Sequence, residues 1–211
     1  VNDILDVSQI ASGQLTVSLE NVEVNRLIHD VTPLIEAQLS QSNLTLSVES
    51  YIDQSVWVIA DHMKLKQVIL NLLSNAVKYN QPNGFIGITI SQKDLHTISI
   101  SIQDGGVGLS EEQQSSLFEP FNRLGKESSG VEGTGIGLVI SREVLRMMNG
   151  TLILHSSPNQ GSSFTFCLPT FLAEGIHNQN YEALSHDVIV EKDAKHDIKI
   201  LYMEDYPPNK A

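Results

Sequence analysis

The sequence predicts an α/β two-layer sandwich, a mixed sheet covered on one face by helices, and three observations lead there. Amphipathic helical stripes are interleaved along the chain with short β-type runs. Most of the β-type runs fall in pairs across short polar turns, as strands of hairpins do. With 211 residues and 41% apolar content, the chain can fill one domain core and still carry a tail.

Taken in order, Ile4, Leu5, Ile10 and Ala11 lie at mixed helical spacing and stop at Gly13, as the last turns of a longer helix before a chain reversal would. Residues 14–24 alternate weakly and read as a short strand. Leu27, Ile28, Val31, Leu34, Ile35 and Leu39 form a helical stripe that Pro33 is expected to kink or restart. Residues 44–48 and 56–60 read as strands. Asp61 is then a plausible N-cap for a helix whose stripe is Leu65, Val68, Ile69, Leu72, Leu73, Ala76 and Val77. Residues 85–91 and 97–103 form a hairpin around 93–96. A helix from about 135 to 148 ends at Asn149-Gly150, and residues 151–156 pair with 162–168 across 158–161. The stretch 171–197 is polar and weakly periodic, a linker, and 198–203 is a sharp apolar strand followed by Glu204 and Asp205.

A formal net charge of -12 argues against a nucleic-acid binder, because such affinity comes mainly from cations neutralising phosphates. An anionic ligand would therefore need local devices: backbone N–H groups, a metal ion or a few placed cations. The single cysteine, Cys167, lies in a strand-like run and reads as a buried structural thiol. No apolar stretch approaches the roughly 20 residues that span a bilayer, and the N-terminus lacks a signal pattern. The expected location is cytoplasmic, with anchoring of a longer parent in the inner membrane left open.

Chemistry concentrates in four places. On the helix after Asp61, residues Asn71, Asn75 and Lys78 lie about one turn apart at the edge of the apolar stripe. An amide oxygen is a hard ligand suited to magnesium, and a nearby ammonium neutralises phosphate; an isolated Asn-x-x-x-Asn is also common on solvated helix faces. Asp104-Gly105-Gly106-Val107-Gly108 follows a strand directly. Its glycines permit close backbone approach and its carboxylate can accept a hydrogen bond from an exocyclic amine, although strand-ending Asp-Gly turns are commonplace. Gly133-Thr134-Gly135-Ile136-Gly137 opens the next helix, where unpaired N–H groups and the dipole favour phosphate, or where glycines simply cap. It matches neither a Walker loop nor the dinucleotide fingerprint. Between the two glycine clusters, Leu117-Phe118-Glu119-Pro120-Phe121-Asn122-Arg123 and a polar run reads as a lid, or as a surface loop pinned by two buried phenylalanines.

In this order the four elements resemble the asparagine box, first glycine box, phenylalanine box and second glycine box of sensor histidine kinases, over about residues 1–170. The run from Leu65 to Tyr79 is the most specific part of that resemblance. It implies a Bergerat-type ATP-binding fold with ATP and Mg2+ as cofactors. Asn75 would bind magnesium, and Asn71 would line the same site and help orient or deprotonate the acceptor. Lys78 would approach the phosphates, Tyr79 the adenine, and Asp104 the adenine amine. Gly106, Gly108, Gly133, Thr134, Gly135, Gly137 and Leu138 would shape the pocket and lid; Phe121 belongs to the lid and Arg123 would reach the terminal phosphate.

The resemblance also implies domains: 1–13 as the end of a dimerisation and phosphoacceptor hairpin, 14–170 as the catalytic domain, 171–197 as a linker, and 198–211 as the start of a receiver domain. Implied partners are that hairpin and a receiver domain or response regulator, in a homodimeric parent of which this chain alone would be monomeric. The chain departs from the family pattern in lacking an acceptor His-Glu followed by Thr-Pro. His29-Asp30-Val31-Thr32-Pro33 is one residue short of it and lies downstream of the hairpin's end, so His29 reads as an ordinary helix residue. Two rivals stay open: a nucleotide-sensing module without transfer, and an ATPase of the gyrase or Hsp90 type. Against the latter, Asn71 stands where those ATPases carry a glutamate base.

Overall fold

A computed structural model describes residues 2–52, 55–123 and 134–170. Gly133, the polar run 124–132, the linker 171–197 and the strand expected at 198–203 lie outside the described residues. Helix α1 (Asn2–Ala11) is followed by β1 (Glu20–Glu23), α2 (Val24–Gln41), β2 (Thr45–Ser50), β3 (Trp57–Ala60) and α3 (His62–Lys78). Then come β4 (Phe85–Asp94), β5 (Thr97–Asp104), the short α4 (Glu111–Ser116), α5 (Gly137–Met147), β6 (Thr151–Ser156) and β7 (Ser162–Pro169).

The main sheet has five strands in the order β2-β4-β5-β7-β6, with β2 parallel to β4 and every other pair antiparallel. It is therefore mixed. Period-two alternation decides its faces: Ile86, Ile88 and Ile90 on β4, Ile98, Ile100 and Ile102 on β5, and Phe164, Phe166 and Leu168 on β7 are buried. The stripes of α2, α3 and α5 are buried with them in one continuous core, while the opposite sheet face carries Ser99, Ser101, Ser163 and Thr165. Burying one large aliphatic side chain contributes about 1.5–3 kcal/mol, against about 1 kcal/mol for a helix cap. The core therefore sets where α3 lies, and Asp61, whose carboxylate accepts the Lys64 N–H at 3.0 Å, sets where it starts.

Two expectations are corrected. The strand read over 14–24 is confined to Glu20–Glu23, because its partner β3 ends at Ala60, opposite Glu20. The residue after β3, Asp61, instead uses its second carboxylate oxygen to accept the Ser18 N–H at 2.9 Å. Helix α2 does not restart at Pro33 but runs unbroken to Gln41. Pro33 lies on the solvent side, so the carbonyl that it deprives of a donor, that of His29, is on an exposed residue and can bond to water. Leu34 is exposed, at the edge of the stripe that Leu27, Val31 and Ile35 bury. His29 also points outward, its side chain 87% exposed. Among the described residues no helix is long and apolar enough to cross a membrane.

Helix α1 is held to the domain by a polar contact. The Asp6 side chain, only 11% exposed, accepts from Lys64 Nζ at 3.0 Å and from Gln67 Nε2 at 2.9 Å, both on α3. Burial by itself would raise the Asp6 carboxyl, but the bonds from Gln67 and Lys64 and the lysine charge together hold it below its ordinary value. A depressed carboxyl stabilises the fold above its unfolded pKa, and that contribution disappears as pH falls through the folded value. Lys64→Met is expected to lower unfolding stability by about 2 kcal/mol at pH 7, with the gap to wild type narrowing in acid. Urea denaturation of both proteins at pH 7 and pH 3 checks this.

Candidate functional site

Because the stripe of α3 is spent on the core, its flank is left at the boundary between the layers. Asn71 and Asn75 are half-buried there, and Lys78 is exposed at the helix end. The α3 C-cap is Tyr79, whose N–H reaches the Asn75 carbonyl at 3.0 Å and whose own carbonyl accepts the Val107 N–H at 3.3 Å. That second bond ties the end of α3 to the glycine segment after β5.

Asp104 ends β5 and is 5% exposed. Its Oδ1 accepts the Gly106 N–H at 2.8 Å, and the Ser162 N–H is a second backbone donor toward the carboxylate. Burial pushes the carboxyl above its ordinary value, and these two backbone bonds oppose the rise only in part. The turn is closed by Gly161, at φ +80°, where an added Cβ would overlap the Asp104 carbonyl oxygen. Only glycine fits that left-handed, crowded position.

These elements surround a cavity of about 700 Å³, within the range usual for small-molecule sites. Asn71, Asn75 and Lys78 line it from α3 and Tyr79 from its C-cap; Asp104 and Gly108 line it from the first glycine segment; Arg123, Thr134, Gly135, Gly137 and Leu138 line it from the segment after α4 and the start of α5. Asn75 and Lys78 have no side-chain partner among the described residues. Asn71 donates from Nδ2 to Ser141 Oγ at 2.9 Å. Gly137 passes so close that a Cβ there would overlap Asn71 Oδ1. The N-terminus of α5 thus opens at the cavity with its positive dipole end.

Two predicted residues are not in the wall. Gly106 stands behind Asp104 and acts on it through its N–H. Phe121 is 64% exposed at φ +65°, and its N–H donates to the Gly135 carbonyl at 3.2 Å. Nor are two phenylalanines buried to pin the segment: Phe118 is half-buried beneath Arg142, whose guanidinium lies 4.7 Å from the ring centroid. Gly133 is outside the described residues.

The sequence reading missed α4 and the walls it brings. A capping box was its signal: Gln113 N–H donates to Ser110 Oγ at 3.2 Å and Ser110 N–H to Gln113 Oε1 at 3.0 Å. Buried Gln114 then donates to the carbonyls of Leu109 and Ser156, both at 3.0 Å, fixing α4 against β6. Leu109, Ser110, Gln113 and Leu117 reach the cavity this way, and Pro158, Ser162 and Phe164 enter it from the β6–β7 side. Ser162 and Phe164 gave no sequence signal, since only the pairing of β5 with β7 brings them beside Asp104.

The arrangement is that of a nucleotide-binding domain: a deep cleft with apolar walls, one buried carboxylate, and amides, a lysine and a helix N-terminus grouped on another side. The comparisons agree. Residues 60–171 match the family described as Histidine kinase-, DNA gyrase B-, and HSP90-like ATPase. The signal transduction histidine-protein kinase BarA of Escherichia coli K12 is 32% identical over 189 residues, which are 85% of this chain and 20% of BarA. The nucleotide-free catalytic domain of the histidine kinase ThkA superposes with a TM-score of 0.64 at 28% identity, over 72% of this chain and 96% of that one. Full-length ShkA, solved with AMPPNP, superposes with a TM-score of 0.70 at 25% identity, over 82% of this chain and 36% of that one. The chain belongs to this ATPase family and is the ATP-binding catalytic domain of a sensor histidine kinase. It spans about a fifth of the length of BarA and under half the length of the SasA kinases that it also matches.

The Asp104 geometry carries a stability prediction. A raised carboxyl penalises the fold once it ionises, a cost that is absent below its unfolded pKa and grows as pH rises through the folded value. Asp104→Asn escapes this titration, so relative to that variant the wild type gains stability as pH falls from 7 to 4. The variant itself stays folded at pH 7, within about 1 kcal/mol of wild type, as thermal unfolding monitored by circular dichroism will show.

Proposed function

We propose that the cavity binds Mg-ATP and delivers its γ-phosphoryl group to a histidine on a hairpin of the same protein, of which α1 is the end. The observation that carries this reading is the pairing, across one cleft, of the buried Asp104 carboxylate with the Asn75 amide and the Lys78 ammonium, neither of which has a side-chain partner among the described residues. Asp104 would accept from the adenine amine, with Tyr79 and the apolar walls beside the ring. Lys78, Arg123 and the N–H groups at Thr134, Gly135 and Gly137 would face the phosphates.

The donor chemistry suits magnesium. Among the described residues no three His, Cys, Asp or Glu side chains come together, and this ion commonly takes few protein oxygens while keeping water and phosphate ligands. Asn75 would supply the protein ligand, with Asn71 lining the same end. When bound, the ion neutralises charge on the transferring phosphoryl group. The protein's contribution is then mainly positioning, since an imidazole nitrogen is itself the nucleophile. It attacks the γ-phosphorus, the bond to the bridging oxygen breaks, and ADP leaves; Asn71 would help orient the acceptor. Residues 171–197 and 198–211 would be a linker and the start of a receiver domain, which makes a receiver or response regulator the onward partner.

Calorimetry should find Mg-ATP and Mg-ADP binding to this chain and binding about 10- to 100-fold weaker to Asp104→Asn. Given a separate hairpin bearing the acceptor histidine, γ-labelled ATP should mark the hairpin, while the chain alone should remain unlabelled. Binding without transfer would favour a nucleotide-sensing module. Steady hydrolysis without a hairpin would favour an ATPase.

A further inference from the structure

Asn71 is gripped from two positions one turn apart on α5. Its Nδ2 donates to Ser141 Oγ at 2.9 Å, and its Oδ1 lies in the space left by the missing side chain of Gly137. Ser141 is 2% exposed, in the middle of a helix whose buried face is otherwise Ile140, Val144 and Leu145. A buried hydroxyl there needs a reason, since an apolar residue of similar size would fill the position without a polar group to satisfy. Asn71 lines the large cavity and Ser141 does not. Both line a separate small cleft of about 50 Å³ between α3 and α5.

We infer that Ser141 is a positioning residue that fixes the orientation of the Asn71 amide. The inference rests on the reading of Asn71 as part of the magnesium and phosphate end of the site. An amide has one donor end and one acceptor end. By accepting from the donor end inside the helix pair, Ser141 assigns the oxygen to the start of α5, at the edge of the cavity. Without the hydroxyl, the N–H would be left half-buried and unpaired, and the amide would be free to rotate toward other acceptors. The oxygen would then no longer be held at Gly137. Ser141 therefore acts on the site through Asn71 and without touching the ligand.

Ser141→Thr and Ser141→Val together allow a test that separates the hydroxyl from packing, because both place the same added branch at Cβ. The two variants have nearly the same shape and differ in the hydroxyl. ADP affinity is measured by calorimetry for wild type and both variants, in EDTA and in saturating Mg2+. Ser141→Val should lose about tenfold of the magnesium-dependent gain in affinity, Ser141→Thr should keep it within about twofold, and affinity in EDTA should match wild type in both. In ligand-free samples, the Asn71 side-chain amide protons should exchange slowly with solvent in wild type and Ser141→Thr, and fast in Ser141→Val. Equal magnesium gain in all three proteins, or equal loss in Thr and Val, would overturn the positioning role even with Mg-ADP binding intact. Failure of wild type to bind Mg-ADP at all would instead overturn the assignment of the cavity, and this inference with it.

Discussion

Burial of the α3 stripe against the isoleucines of β4 and β5 fixes every polar group that faces the cavity from that helix. Leu65, Ile69, Leu72 and Leu73 are all but inaccessible, and at about 1.5–3 kcal/mol apiece they leave the helix no freedom to roll. Asn71, Asn75 and Lys78 lie on the flank of that buried stripe, so their directions follow from the core. A hydrophobic contact thus sets the geometry of a polar site, which side-chain hydrogen bonds alone would hold far less firmly.

The other side of the cavity is built on a different balance. Asp104 is buried at a cost its two backbone donors only partly offset, and the turn around it has room for neither a Cβ at Gly161 nor one at Gly106. The strain of keeping a carboxylate dry is borne by the sheet, since β5 pairs with β4 and β7 along its whole length. Such a group is poised to accept from a donor brought into the cleft, because a ligand can supply the hydrogen bond that burial withholds. Helix α1, clamped through Asp6 to Lys64 and Gln67, attaches to the same α3 that carries the amides.

Comparison of sequence and structure element by element shows which signals are local. The capped start of α3, the hairpin of β4 and β5, the pair β6 and β7, and the sheet covered on one side all followed from periodicity and turn residues. The strand expected at 14–24 shrank because strand length depends on a partner that ends at Ala60. Pro33 did not restart α2 because tertiary packing of Val31 and Ile35 holds the helix on both sides of it. Phe121, assigned to the lid by the resemblance, faces solvent.

By itself the sequence determined the chemistry available: an amide pair and lysine at one-turn spacing, a carboxylate ending a strand, and glycines opening a helix. Those are properties of spacing within one element, which a helix or strand period converts directly into a shared edge. Only the tertiary structure decided what these groups face. Pairing of β5 with β7 brings Ser162 and Phe164 to Asp104, and packing of α3 on α5 brings Ser141 and Gly137 to Asn71. Residues so far apart in the chain meet because burying apolar surface from all the layers at once admits one arrangement, and that condition is a property of the whole fold.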